Sequence, residues 1–412
     1  MSDLSIGRSS VQGPFAIWFI SRLMRRIQVG SLRVHAPSGG EIVHRGEEPG
    51  PDAVLVLHNW RALRHLLLKG DVGFAESYMD GDWSSPDLTA LVLLVARNTD
   101  ALGNSVDGLS AIRAMNRILH KARSNSRAGA KRNIEAHYDL GNEFYAAWLD
   151  PSMTYSSALF SSEDQSLEDA QRAKQDRVMT LLDLSGGEQV LEIGCGWGSL
   201  AGRIVREQGA SLTGITLSPS QLAYAKRDLP NAFADLRLQD YREVTEQYDR
   251  IVSIEMLEAV GAEYWPVYFD KIRACLRPGG SAVLQVITIA EERYENYRRS
   301  ADFIQRYVFP GGMLPSVPVL TNEIKRAGLA LRSVQHFGRS YAQTLREWSH
   351  RFQRAWPGLS GVGRPALQIG GRPADERFRR RWEYYLSYCE AGFLAGAIDV
   401  GLYRITHTDA AA

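Results

Sequence analysis

A chain of 412 residues is longer than one average domain and fits two, or one large domain with insertions. Hydrophobic residues make up 44% and charged residues 23%, the proportions of an ordinary globular protein, which excludes disorder and fibrous structure. A formal net charge of +1 gives no global attraction to nucleic acid, so an electrostatic partner has to be met by a local patch.

In chain order, the first apolar run is residues 15–20, followed closely by Arg22, Arg25 and Arg26. A signal peptide places its charge first, and no run reaches the roughly 20 apolar residues that span a bilayer. The stretch reads as an amphipathic helix. It either packs on its own domain or lies in a membrane interface, with Trp18 and Phe19 in the acyl boundary and the arginines on phosphates. Residues 1–120 form a first, smaller unit, with apolar segments at 53–58 and 88–96 around a turn at Asp80-Gly81-Asp82 and a helix start at 84–87. Its expected role is contact with a lipid surface or dimerisation. Residues 121–132 carry Lys121, Arg123, Arg127, Lys131 and Arg132 among Ser, Asn, Gly and Ala, which reads as a basic linker. The same charges suit an anionic leaflet, each worth about 1 kcal/mol near its surface.

From residue 189 the pattern alternates strands and helices. Strands are expected at 189–193, 211–217, 249–254 and 281–287, with helices at 199–208, 220–227 and 264–276. This spacing predicts an α/β fold with a mainly parallel, doubly wound sheet, Rossmann-like, over a catalytic domain of residues 133–412. Cys195, Cys275 and Cys389 form no CxxC pair, so no metal site or disulfide framework is expected and a reducing cytoplasm is.

Ligands of open α/β sheets bind beyond the carboxyl ends of the strands. There, Gly194, Gly196 and Gly198 follow the first strand, and missing side chains let the backbone turn tightly and approach a ligand. The spacing is GxGxG, not the GxGxxG of dinucleotide folds, and the preceding acid, Glu192, suits the amino-acid end of S-adenosylmethionine (SAM). The second strand ends at Thr216, with Gln221 one turn on, where a dinucleotide enzyme places an acid. Asp240 and Tyr241 are placed to meet adenine. These features predict a class I SAM-dependent methyltransferase. The Asn-Pro-Pro-Tyr-like loop of many nitrogen methyltransferases is absent after the strand at 249–254, where Ser253-Ile254-Glu255-Met256-Leu257-Glu258 stands. Methylation of an olefin instead creates a carbocation, which needs a dry apolar channel, a negative group and a later base.

Several stretches carry a specific resemblance: 137–144, beginning His137-Tyr138-Asp139-Leu140-Gly141; 149–156; 192–198; 309–315; 341–345; and 384–393. Together they resemble the cyclopropane-fatty-acyl-phospholipid synthase family, which includes the mycolic acid cyclopropane synthases. The match runs from about Asn133 to the C-terminus and extends weakly into residues 78–83. The resemblance implies SAM contacts at Tyr138, Gly194, Gly196, Thr216, Gln221, Asp240 and Tyr241. It further implies a bicarbonate ion beside the reacting carbons, acting as base and held by a Cys, a Glu, a His and a Tyr. The Glu matches Glu258 and the Tyr matches Tyr341, but the Cys position is Ser157 and the His position is Gln285. Glu255 reads as ending its strand.

Ser157 and Gln285 can still donate hydrogen bonds to an anion. Gln285 cannot titrate near neutral pH as histidine does. Methyl transfer to a cis double bond of a phospholipid acyl chain is therefore expected, with the proton lost from a neighbouring chain carbon to leave a methyl branch and a shifted double bond, or from the new methyl without closure to leave a methylene group. Ordinary closure to a cyclopropane is the alternative. So are a small-molecule methyltransferase sharing only the fold, and a non-catalytic module that binds SAM or lipid. The expected location is the cytoplasm, peripherally on the inner face of the cytoplasmic membrane, with a homodimer left open.

Overall fold

The computed structural model describes residues 4–6, 14–103, 140–229, 234–299, 301–363, 365–369 and 371–408. These fall into two compact units. The first draws on Met1–His120 together with Arg299–Val308 and Ala374–Ala397, two stretches that the sequence places after residue 133. The second draws on Lys121–Arg298, Phe309–Pro373 and Ile398–Ala412.

In the first unit a five-stranded sheet has the order β1-β3-β2-β4-β5. Its strands are β1 (Leu4–Ile6), β2 (Val29–His35), β3 (Glu41–Arg45), β4 (Glu48–Leu57) and β5 (Trp83–Ser84). The expected helix start is present: Asp87 Oδ1 accepts from Ala90 N at 2.8 Å and caps the helix Leu88–Arg97. The early apolar run lies in the helix Pro14–Met24, with Ile20 and Met24 buried and Trp18 55% exposed. The turn at Gly81 lets Asp82 accept from Arg61 at 2.6 Å. The helix Glu376–Leu394, capped by Asp375, joins this unit with Trp382, Tyr384 and Leu386 buried.

The second unit carries a seven-stranded sheet of order β11-β14-β10-β9-β6-β7-β8. Its strands are β6 (Gln189–Ile193), β7 (Ser211–Thr216), β8 (Ala234–Leu238), β9 (Tyr248–Ile254), β10 (Leu276–Ile289), β11 (Leu329–His336) and β14 (Ile398–His407). A separate two-stranded ribbon comprises β12 (Gln368–Ile369) and β13 (Arg372–Pro373). Five strands, β10-β9-β6-β7-β8, are parallel, and β14 inserts antiparallel to both β10 and β11. This is the class I SAM methyltransferase fold. The central strands are short apolar runs because both faces are covered: Val190 to Ile193 and Ala282 to Val286 are buried throughout. The antiparallel β14 was not foreseen, since the expected strands end at residue 287. Among the described residues no helix is long and apolar enough to cross a membrane.

Candidate active site

β6 runs into the glycine loop at the sheet's carboxyl edge. Gly194, Gly196 and Gly198 have φ of 84°, 54° and 85°, a region that costs any other L-residue about 1–2 kcal/mol. Gly194 N and Cys195 N donate to Ile215 O at 2.9 and 3.0 Å, which pins the loop to β7. The three glycines then part company. A Cβ on Gly196 would meet nothing within 4 Å, and one on Gly194 would approach Met256 at 3.2 Å. One on Gly198 would sit 2.9 Å from Ala225 Cβ, so Gly198 serves the packing of helix Pro219–Asp228.

A cavity opens beside this loop, lined among others by Thr154, Tyr155, Lys174, Glu192, Gln221 and Glu255, with Gly194 and Gly196 in its wall. The helix Leu167–Leu182 supplies its floor. That helix buries Gln171, Lys174 and Gln175 in the middle of an otherwise apolar face. Lys174 Nζ donates to Ser156 Oγ at 2.8 Å and Gln171 Nε2 to Ser156 O at 2.8 Å, so the segment 154–157 is held against the cavity. Gln175 Nε2 donates to Ser199 Oγ at 2.8 Å.

The cofactor end matches SAM by its chemistry. Glu192 is buried, and its Oε2 has no hydrogen-bond partner among the described residues. Burial pushes its pKa up to about 8, with Lys174 pulling it down. Burial likewise lowers Lys174 to about 8 against the attraction of Glu255, Asp150 and Glu192. A carboxylate oxygen buried without a donor at a glycine turn is an acceptor for a ligand's ammonium group. Thr216 Oγ1 donates to Gln221 Oε1 at 3.0 Å, and only Gln221 of the two reaches the cavity wall. Asp240 is gripped by Arg242, 2.6 Å from Oδ2, and the Arg242 guanidinium lies 5.4 Å over the Tyr241 ring. Neither Asp240 nor Tyr241 lines the cavity, and Tyr241 OH is buried without a partner among the described residues. Tyr138 lies outside the described residues.

At the other end, the four positions of the bicarbonate site do not gather around Glu258. Three of them converge on Glu255. Its Oε1 accepts from Ser157 N at 2.9 Å and Gln285 Nε2 at 2.6 Å, and its Oε2 accepts from Tyr341 OH at 2.6 Å. Ser157 Oγ donates instead to Ala158 O at 2.9 Å. Three separate elements supply these donors: the loop before Leu167, strand β10, and the helix Gly338–Leu359. Loss of bulk water raises the Glu255 pKa, and Tyr341, Ser157, Lys174 and Gln285 oppose that rise. Glu258 Oε1 accepts from Ile287 N at 2.5 Å, and its buried Oε2 has no partner among the described residues. Burial, with the Glu255 charge second, pushes Glu258 up to about 8.

One cavity wall is aromatic. Tyr155 packs on Tyr145, Trp148 and Trp348, with ring centroids 5.3–5.6 Å apart. Tyr145 continues to Trp197 at 5.2 Å and Trp348 to Tyr341 at 6.2 Å.

Sequence reasoning named Glu192, Gly194, Gly196 and Gln221, and all four line one cavity. It passed over Lys174, Gln175 and the convergence on Glu255. A signal for Lys174 existed, since a lysine flanked by glutamines on a helix's apolar face needs partners inside.

Known proteins resemble this arrangement. A family model described as mycolic acid cyclopropane synthetase matches residues 125–402. The tuberculostearic acid methyltransferase of Mycobacterium tuberculosis is 39% identical over 84% of this chain and 81% of its own length. The cyclopropane-fatty-acyl-phospholipid synthase of Escherichia coli is 33% identical over 83% of this chain and 84% of its own. A crystal structure of a mycolic acid cyclopropane synthase complexed with SAH and CTAB, 31% identical, aligns with a TM-score of 0.61 over 67% of this chain and 97% of that one.

Proposed function

Because the chain belongs to the mycolic acid cyclopropane synthetase family, we propose that it methylates the cis double bond of an acyl chain in a membrane phospholipid and releases an open, methyl-branched chain. It is a SAM-dependent C-methyltransferase that acts on unsaturated fatty acyl chains. SAM, when bound, supplies an electrophilic methyl group.

One observation carries the acceptor: the cofactor cavity joins an aromatic wall at Tyr155 to a carboxylate, Glu255, held by three donors. An alkene carries no acidic proton, so attack on the methyl group leaves positive charge on the chain. Ring faces and a fixed carboxylate lower the energy of such a cation in a site that excludes water. Glu192 and Gln221 hold the methyl donor at the glycine loop; Asp240 and Tyr241, which do not line the cavity, are assigned to its adenine end by the resemblance alone.

The open product follows from Gln285. One of its amide N–H groups is bonded to Glu255, and an amide takes up no proton near neutral pH. One relative is named for methylating a fatty acid and another for making a cyclopropane, so the family spans both kinds of name. Ring closure is the second reading.

The first unit is assigned to the lipid surface. In the helix Pro14–Met24 the exposed positions Trp18 and Arg22 share one face at i, i+4 spacing, exposed Arg25 follows in the turn after the helix, and the Arg22 guanidinium lies 5.7 Å over the Trp18 ring. An aromatic ring beside arginines suits the boundary of an anionic leaflet. The proposed organisation takes residues 1–120, joined by 299–308 and 374–397, as this accessory part, 121–132 as a basic linker and the rest of 133–412 as the catalytic part, peripheral to the inner face of the cytoplasmic membrane.

The test is lipid mass spectrometry on a host lacking such an enzyme, with and without this protein. Monounsaturated chains gain one carbon and two hydrogens if the reading holds; no gain on any chain sinks it. Mild hydrogenation separates the products, because an open olefin takes up hydrogen and a cyclopropane resists. The double variant Ser157→Cys with Gln285→His is expected to move the product toward the closed ring.

A further inference from the structure

We infer that the Glu255 carboxylate occupies the anion's seat and is itself the base of the reaction, so that this enzyme runs without bicarbonate. The inference rests on the reading just given for the acceptor. Its ground is the set of donors. Of the four positions where the resemblance places bicarbonate ligands, Ser157, Gln285 and Tyr341 all donate to Glu255, through Ser157 N, Gln285 Nε2 and Tyr341 OH. Ser157 Oγ is turned to Ala158 O, and the fourth position, Glu258, offers a carboxyl group next to a second one. A bicarbonate ion placed here would meet two acidic side chains, while Ser157 N, Ser157 Oγ, Tyr341 OH and one N–H of Gln285 are already committed. Lys174 is the one basic side chain among the residues lining the cavity, and Glu192 and Glu255 already face it. The residues present do not fit the ion.

The backbone points the same way. Glu255 has a φ of 50°, a left-handed conformation in a residue that is not glycine. It ends β9, and its N donates to Gln285 O at 2.9 Å across the strand pair. Such a conformation is strained and persists where its surroundings hold it in place. Here the four hydrogen bonds to Gln285, Ser157 and Tyr341 do so, and they turn the carboxylate into the cavity wall beside Gly194 and Gly196.

The step balances without any further reactant. The double-bond electron pair forms the new C–C bond to the methyl group, the S–CH3 bond breaks with its pair left on sulfur, and the neighbouring chain carbon becomes cationic. Glu255 then takes a proton either from a chain carbon beside that cation or from the newly attached methyl group. The broken C–H bond's pair forms the new double bond, or the third ring bond if the proton comes from the methyl group. The carboxylic acid so formed returns its proton to solvent. An acceptor on a fixed side chain, unlike a free ion, reaches only those hydrogens that the bound chain presents to it.

The experiment uses the full chain, SAM and vesicles of dioleoyl phosphatidylglycerol in buffer freed of carbon dioxide, with and without added sodium bicarbonate. Wild-type turnover is expected to be the same in both buffers. Glu255→Gln keeps the shape and loses the base, and its kcat is expected to fall by about 10²–10⁴-fold in either buffer. Glu255→Gly removes the carboxylate at a position whose positive φ glycine accepts freely. Its turnover is expected to return when bicarbonate is added, and bicarbonate is expected to raise its melting temperature while leaving that of the wild type unchanged. Wild-type turnover that collapses without bicarbonate, or a Glu255→Gln variant of full activity, overturns the inference alone. If the wild type methylates no lipid in either buffer, the acceptor reading fails and the inference goes with it. A retained affinity for SAH separates a folded variant from a misfolded one in each arm.

Discussion

At the β6 end of the cavity, Glu192 buries a carboxylate oxygen with no donor among the described residues, whereas at the β9 end Glu255 has a donor on each oxygen. Both carboxylates face Lys174, and burial raises the pKa of both. They differ in what completes them. Glu192 lacks a partner for one oxygen among the described residues, and on the proposed reading the bound cofactor's ammonium group supplies it. Glu255 is completed by the protein itself, through donors from three separate elements. One carboxylate is built for a visitor and the other for permanent residence. On the proposed reading, the orphaned oxygen of Glu192 marks a cofactor contact and the satisfied Glu255 a group positioned to act on a bound substrate.

Breaking the satisfied end is expected to have the largest effect on stability. Glu255→Leu strands Ser157 N, Gln285 Nε2 and Tyr341 OH, at about 1–3 kcal/mol for each buried donor left unmade. A urea denaturation midpoint unchanged from wild type would show that those donors find water, and that the end is less closed than its bonds imply.

Breaking the unsatisfied end is expected to do the opposite to the free protein. Glu192→Gln removes a buried carboxylate that has no donor on one oxygen. It should weaken SAH binding by about 1.5–3 kcal/mol, read by calorimetry, while leaving the free protein no less stable. Its pH dependence follows from the raised pKa. A carboxyl that titrates at about 8 when folded, against an ordinary 4.5, adds stability below 4.5 that is lost as the pH rises through about 8. The variant should lose that slope. Lys174 acts in a separate window, its contribution disappearing as the pH falls from 10.5 to about 8.

Tyr341→Phe sharpens the comparison in the kinetics. Tyr341 is the first of the groups that hold the Glu255 pKa down, with Ser157, Lys174 and Gln285 behind it, while Glu258 is the neighbouring acid. Its loss should move the acid limb of kcat/KM to higher pH, because the base then stays protonated further up the scale. An unmoved limb would detach Tyr341 from the base.

The smallest effect separates the glycines. Gly198→Ala places a Cβ 2.9 Å from Ala225 at a φ of 85°, which should cost about 1–2 kcal/mol of stability and leave SAH affinity intact. A loss of affinity as large as that of Glu192→Gln would return Gly198 to the cofactor's contacts.

Local chemistry by itself determined the glycine loop, the strand that feeds it and the helix that follows. Gln189–Ile193 and Ser199–Gln208 are legible because an apolar run between turn residues, and a helical period behind a glycine, need no distant partner. The helix start at Asp87 is legible for the same reason, since a cap bonds within its own turn. Packing alone decided the rest. Helix Glu376–Leu394 shows an aromatic face in the sequence, but only tertiary contact assigns that face to the first unit. Strand β14 carries no sign that it runs antiparallel between β10 and β11. Glu255 looked like the end of a strand and Glu258 like the acid of the site. The difference between them lies in Ser157, Gln285 and Tyr341, which stand 98, 30 and 86 residues away in the chain and meet Glu255 through β10 and the helix Gly338–Leu359. Sequence patterns record which groups a segment carries. Which carboxylate receives the donors depends on backbone turns such as the one at Glu255, where a single positive φ swings one side chain into the site.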